Sequence, residues 1–247
     1  MEEAMKKTIA VTSFGLTLIL TTLTVAAQTR DDLLKEIEVK RAEIASLENK
    51  ILQPAEADRE ANAEFLAGSD TGMIRLLPRE TYDHGGKRTL TINGGGAFYS
   101  IVLSTHEYGR GSDISLEQGF LSVGGYGGFD HGLLLNVGDV PLSQLTPDHL
   151  VVHALLDFKP ALKEDDIRRE QRALWKGIET GGFTFLSRMP AKVGNTYVLR
   201  SISYENSDIV VAVRVTRQDT DGSLILIFKV LKKFPAPKAE RNQIADN

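Results

Sequence analysis

Residues 196–233, TYVLRSISYENSDIVVAVRVTRQDTDGSLILIFKVLKK, decide the fold class. They hold three long alternating or β-branched runs, Thr196 to Glu205, Asp208 to Gln218 and Ser223 to Lys233. Asn206-Ser207 separates the first two and Asp219-Thr220-Asp221-Gly222 the last two, and both connections suit tight turns. Side chains alternate between the faces of a strand. Ile209, Val211, Val213 and Val215 therefore share one face, with Arg214 and Thr216 on the other. The stretch is expected to form a three-stranded antiparallel meander.

The same period continues toward the N terminus. Ile74 and Leu76 begin a strand that Pro78 restricts to a sheet edge, because proline cannot donate to a ladder. His84-Gly85-Gly86-Lys87 reads as a turn into Thr89 to Ile92, and residues 97–104 read as a further strand. Asp113 to Glu117 alternates, Gly119 suggests a bulge before Phe120 to Val123, and Leu133 to Val137 is a short apolar run. Twelve of the 22 glycines lie between Gly94 and Gly138, a density that breaks helices and marks tight loops. One helix interrupts the strands. Glu164, Asp165 and Asp166 open it, Arg172 and Lys176 close it, and Gly177 supplies the stop. Ile167, Leu174 and Trp175 are expected to face the sheet. The fold class expected over residues 73–234 is mainly β (α+β), an antiparallel β-sandwich or partly closed barrel with one packed helix. Residues 235–247 lack a period and are expected to form a flexible tail.

Residues 28–67 differ in kind. They hold six Lys or Arg and ten Asp or Glu, and so carry the whole net charge of −4. Leu33, Ile37, Ile44, Leu47 and Ile51 recur at spacings of three and four, with Lys40 in the seam. The pattern predicts an N-terminal helical arm with a short coiled coil. Pro54 ends or kinks the helix, and a second stretch presents Ala57 and Ala61 up to Phe65. Three heptads are marginal as a free helix in water, so the seam needs a partner. Either a second copy of the chain or the β domain can supply it, and a homo-oligomer through residues 28–52 is the favoured reading.

Residues 8–27, TIAVTSFGLTLILTTLTVAA, carry no charge, follow Lys6 and Lys7, and end in Val25-Ala26-Ala27. A basic start, an apolar middle and a small-residue end make a signal peptide over residues 1–27, which resembles a bacterial Sec export signal. Glu2 and Glu3 offset the two lysines, and a start at Met5 gives the basic leader MKKTIAV. The competing reading is an uncleaved anchor. Cleavage leaves a mature chain with no transmembrane domain, periplasmic or secreted, facing an unknown exported or cell-envelope partner.

Composition narrows the chemistry. The absence of cysteine excludes disulfide scaffolds, thiolate metal sites and thiol nucleophiles. The slightly acidic total argues against nucleic acid as a partner, which calls for a basic footprint. Aromatic content of 7%, an interrupting charged helix and a polar tail argue against an outer-membrane barrel.

The strongest candidate set is His149, His153 and Asp157, whose spacings of four align them on one helical face, or equally on one strand face. Two imidazoles and a carboxylate can ligate a cation, yet Leu150 stands where a zinc protease of the HExxH type needs its glutamate. Between Thr89 and Leu156 the only Lys or Arg is Arg110, against Glu107, Asp113, Glu117, Asp130, Asp139 and Asp148. These acids could gather on one surface, or cap separate turns. Gly94-Gly95-Gly96 lacks the Lys-Ser/Thr of a phosphate loop, Ser122 misses the nucleophile-elbow spacing, and Asp219-Thr220-Asp221-Gly222 lacks the later ligands of a calcium loop. No residue is assigned a catalytic, cofactor-binding or metal role, and no cofactor is expected. The expected function is an exported non-catalytic structural or ligand-binding protein. The alternative is an exported hydrolase, divalent-cation-assisted, using His149, His153 and Asp157. A further possibility is a carbohydrate- or peptide-binding groove lined by Tyr99, Tyr108, Tyr126 or Phe129.

Overall fold

The computed structural model describes residues 29–84, 86–106, 108–109, 111–124 and 128–240. The signal peptide expected over residues 1–27 lies outside them, as does Tyr126. The chain divides into two compact units, Met1–Arg41 and Ala42–Asn247.

Helix α1 (Arg30–Leu52) and two short helices, α2 (Glu56–Ala61) and α3 (Ala63–Leu66), precede the first strand, β1 (Thr71–Leu76). Helix α4 (Arg79–Tyr82), a small hairpin of β2 (Asp83–His84) and β3 (Lys87–Arg88), and β4 (Phe98–Tyr99) follow. Next come β5 (Ile114–Glu117), β6 (Phe120–Ser122) and the long β7 (Asp130–Gly138). Helices α5 (Leu150–Asp157) and α6 (Glu164–Leu174) then lead to three short strands, β8 (Ile178–Thr180), β9 (Phe183–Phe185) and β10 (Arg188–Pro190). The meander closes the sequence of elements as β11 (Thr196–Ser203), β12 (Ser207–Gln218) and β13 (Leu224–Phe234).

The protein is built mostly of antiparallel sheets. The largest has five strands in the order β1-β13-β12-β11-β7 and a second has four in the order β10-β6-β5-β4, while β2-β3 and β8-β9 form two-stranded ribbons. β1 takes an edge of the larger sheet, where Pro78 at its end disturbs no ladder. Neither sheet closes into a barrel. The two bury one cluster between them: Ile209, Val211, Val213 and Val215 of β12 meet Ile114 and Leu116 of β5 and Leu121 of β6. On the opposite face of the larger sheet, Val198, Ile202, Val210 and Ala212 pack against Val151 and Leu155 of α5 and Ile167 and Leu174 of α6. Every residue of β11 is buried, because layers cover both of its faces. Each such aliphatic side chain contributes about 1.5–3 kcal/mol by leaving water.

Several expectations are corrected. Within residues 73–234 the single expected packed helix becomes three α-helices, α4, α5 and α6, of which α5 and α6 both cover the larger sheet. The stretch 149–157, ambiguous in the sequence, is helical from Leu150 because Val151, Val152 and Leu155 recur at helical spacing toward the sheet. Of the strand expected over 97–104 only Phe98 and Tyr99 join a sheet, and the chain turns at residues 101–104 so that Ser100 bridges Thr105. Thr89 to Ile92 forms bends rather than a strand. Gln118 and Gly119 both take positive φ, 51° and 75°, and make a two-residue hairpin turn in place of a bulge. Trp175 is 64% exposed, one position past the last turn of α6, and does not face the sheet. Of the tail expected over 235–247, residues 241–247 lie outside the described residues, and within the rest Glu240 N–H donates to Leu162 O and Glu164 N–H to Glu240 O.

The arm expected over 28–67 is divided between the two units. At its start a reciprocal cap forms, Asp32 N–H donating to Thr29 Oγ1 and Thr29 N–H to Asp32 Oδ2, each at 3.2 Å. From Ala42 on, α1 belongs to the second unit. There the buried Glu48 accepts from the N–H and hydroxyl of Thr91, and Leu52 packs against Leu77 and Leu90. The seam residues Leu33, Ile37, Ile44, Leu47 and Ile51 are exposed, by 37–59%. No helix among the described residues is long and apolar enough to cross a membrane.

Candidate functional site

The expected set of His149, His153 and Asp157 comes together only in part. α5 places His153 one turn before Asp157, Nδ1 2.9 Å from Oδ2, with both side chains well exposed. His149 is the N-cap of the helix, and its Nδ1 is buried without a hydrogen-bond partner. Among the described residues no group of three His, Asp or Glu side chains could hold a metal ion. Of the acids counted between Thr89 and Leu156, Glu117 and Asp130 border one cavity, and Asp113 and Asp139 lie apart from it. Asp113 accepts from the N–H groups of Ile101 and Val102, Asp139 pairs with Arg214, and Glu117 pairs with Arg79. Glu107 lies outside the described residues.

A different place gathers polar groups. A cavity of about 480 Å³ opens between the β5–β6 turn, the start of β7 and the end of α6. That volume lies in the ordinary range of small-molecule sites. Its wall includes Arg79, Tyr108, Asp130, His131, Gln171, Trp175, Ser187 and Arg188. The backbone geometry that builds it is tight. A Cβ on Gly132 would stand 2.0 Å from Val123 Cγ1, and one on Gly124, at φ +70°, 2.5 Å from the His131 backbone. Two glycines thus let the end of β6 lie against β7, and the neighbouring His131 joins the wall.

His131 is 2% exposed, and neither ring nitrogen makes a hydrogen bond. Nε2 is 3.4 Å from Glu170 Oε2, within ion-pair reach but without hydrogen-bond geometry. Burial foremost, and the charge of Arg200 second, bring its pKa down to about 4, so the ring is neutral at pH 7. Burial pushes the Glu170 carboxyl up, against the N–H of Ala161 that stabilises its charged form. The Ser187 hydroxyl is buried without a partner and makes no hydrogen bond to His131. Gln171 donates through Nε2 to Asp130 O at 2.7 Å and Gly128 O at 3.2 Å. Arg188 lies 4.1 Å over the Phe120 ring and pairs with no acid among the described residues. Unpartnered buried polar atoms are costly unless something completes them. Both residues border the cavity, with these polar atoms closed off from its space.

The histidine sets an acid limb on stability. Below pH 6.5 the unfolded chain takes up a proton that folded His131 refuses until about pH 4. Stability is therefore full above 6.5 and declines as the pH falls toward 4. His106, buried and also brought down to about 4, adds the same sign, while protonation of Glu170 and Asp113 opposes it. Urea midpoints at pH 7 and pH 5 should drift apart less in His131→Gln than in the parent. Equal drift would exclude His131 as a source.

Sequence reading named Tyr99, Tyr108 and Phe129 as groove aromatics, and only Tyr108 lines this cavity. Tyr99 packs against the inter-sheet cluster and Phe129 against the helix layer. His131, Ser187 and Trp175 were not picked out as site residues. The one sequence signal is the polar pair Asp130-His131 at the head of an otherwise apolar strand. The chain matches no family model, no curated protein and no solved structure.

Proposed function

We propose that this is an exported, periplasmic or secreted binding protein without catalytic activity, whose β unit takes a small ligand in the cavity beside His131 and whose helix α1 joins copies of the chain. The observation that carries the binding role is a cavity of ligand size whose wall gathers Arg79, Tyr108, Gln171, Arg188 and the exposed Trp175. Export rests on the uncharged stretch at residues 8–27 and its Val25-Ala26-Ala27 end. The two facing sheets support the sandwich form of the fold.

Assembly rests on the exposed seam. Ile37, Ile44 and Ile51 fall at one core position of the heptad and Leu33 and Leu47 at the other, an arrangement that favours two-stranded parallel coils. Lys40, in the same seam, disfavours larger bundles that would bury it fully. Sedimentation of the full chain should give a dimer, and Leu33→Ser/Ile37→Ser/Ile44→Ser a monomer with unchanged far-ultraviolet dichroism of the β unit. A parent chain that stays monomeric at high micromolar concentration would remove the assembly role. The alternative through His149, His153 and Asp157 retains one exposed imidazole–carboxylate pair, and no observation favours it over the cavity.

A further inference from the structure

Resting on the assembly role proposed above, we infer that α1 pairs with α1 of a second copy in one defined way, parallel and in register, with Glu36 of each chain facing Arg41 of the other and the two Lys40 side chains opposed. The partner is a copy because the seam and its flanks complete each other. Ile37, Ile44 and Ile51 take heptad position a, and Leu33, Lys40 and Leu47 take d. In a parallel coil the g residue of one helix meets the e residue five places on in the other. Glu36 at g therefore reaches Arg41 at e, and symmetry makes this ion pair twice. A slip of one heptad would replace Arg41 by Leu34 or Glu48 opposite Glu36. The next flanking contact sets Glu43 toward Glu48, and Glu48 is turned aside: both of its oxygens accept from Thr91 of its own chain. An antiparallel alignment over the same seam, with Ile37 opposite Leu47, sets Arg41 against Arg41 and Glu43 against Glu43. Like charges on both central flanks oppose it.

The chain's own β unit leaves the seam open. It holds the end of α1 through Glu48 and Leu52, at heptad positions e and b. Ile44 and Leu47, on the same stretch of helix, stay exposed by 41% and 59%. Lys40 sets the strength of the pairing, because two ammonium groups opposed in one core layer cost stability and keep the dimer reversible. The parallel arrangement also bears on binding. Each β unit follows the C-terminal end of α1, so both leave the coil at one end, whereas an antiparallel pair would part those ends by about 30 Å. Two binding units that leave from one end can engage a multivalent ligand together.

The chain has no cysteine, so a single introduced thiol reports contact between copies. The full chain is made as Lys40→Cys, as Leu47→Cys and, at the outward position f, as Lys35→Cys, all at exposed positions. Each is equilibrated in a glutathione redox buffer. Parallel helices in register bring every d residue against its own counterpart. Lys40→Cys and Leu47→Cys should therefore give disulfide-linked dimers on a non-reducing gel, and Lys35→Cys should not. In sedimentation Glu36→Arg should weaken the dimer roughly fivefold, and Glu36→Arg/Arg41→Glu should restore it. Lys40→Leu should tighten it about tenfold. A parent dimer in which Lys40→Cys and Leu47→Cys link no more than Lys35→Cys would overturn the parallel alignment and leave the assembly role standing. A monomeric parent, with no variant linking above Lys35→Cys, would overturn both.

Discussion

Arg200→Leu should lower the free energy of unfolding by about 3–5 kcal/mol, the range seen when one partner of a buried ion pair is removed. Arg200 and Asp208 are each 3% exposed and meet through two parallel hydrogen bonds, Nε to Oδ1 at 2.8 Å and Nη2 to Oδ2 at 2.7 Å. The remaining nitrogen, Nη1, donates to Leu155 O and Phe158 O, each at 2.7 Å. Leu155 lies in the last turn of α5, whose final carbonyls have no partner within the helix. One guanidinium thereby joins β11, β12 and the end of α5, with the Phe234 ring 4.3 Å beneath it. Leucine abandons a buried carboxylate and two carbonyls together. Urea unfolding measures the loss. The double variant Arg200→Leu/Asp208→Leu should recover much of it, because no charge is then left buried. A single-variant loss below about 1 kcal/mol would mean the pair behaves as an exposed one.

Gly124→Ala should destabilise by about 2–5 kcal/mol through two separate causes. The left-handed backbone at φ +70° costs an L side chain roughly 1–2 kcal/mol. The added Cβ would also press on backbone, 2.5 Å from both Cα and C of His131 and 2.7 Å from Gly132 N. Crowding of that kind typically adds about 1–3 kcal/mol, because backbone held in a sheet cannot turn aside as a side-chain tip does. Gly119→Ala is the comparison. It shares the positive φ, at +75°, but its Cβ would meet nothing within 4 Å. The difference between the two unfolding midpoints isolates the crowding, and equal losses would show that β6 and β7 part easily. Because the displaced atoms carry His131, Gly124→Ala should weaken ligand binding in the cavity as well, and Gly119→Ala should not.

The larger sheet was legible in the sequence, and the cavity was not, for one physical reason. Alternation records which face of a strand meets apolar surroundings, and Ile209, Val211, Val213 and Val215 obey it without exception. The same rule sends polar residues outward. It misreads Arg200, which shares a face with Val198 and Ile202 and is buried because Asp208 and two carbonyls complete it. The end of α6 failed for a related reason. Helical periodicity placed Ile167 and Leu174 correctly, but Trp175 follows the final turn and leaves the helical face. The cavity joins residues from α4, β6, β7, α6 and β10, brought together by two glycine contacts that no local pattern encodes. The arm shows the opposite failure. Its seam follows from spacing, yet what fastens the end of α1 is Glu48 and Leu52, neither of them a seam residue.

The pairing of β1 with β13 sets Thr71 opposite Lys229 and Leu76 opposite Leu224. A ribosome must therefore finish nearly the whole polypeptide before the first strand can find its neighbour. Such remote partnership slows folding, since loop closure must come before its reward. For a chain proposed to leave the cytoplasm, such a delay would leave the larger sheet open during passage.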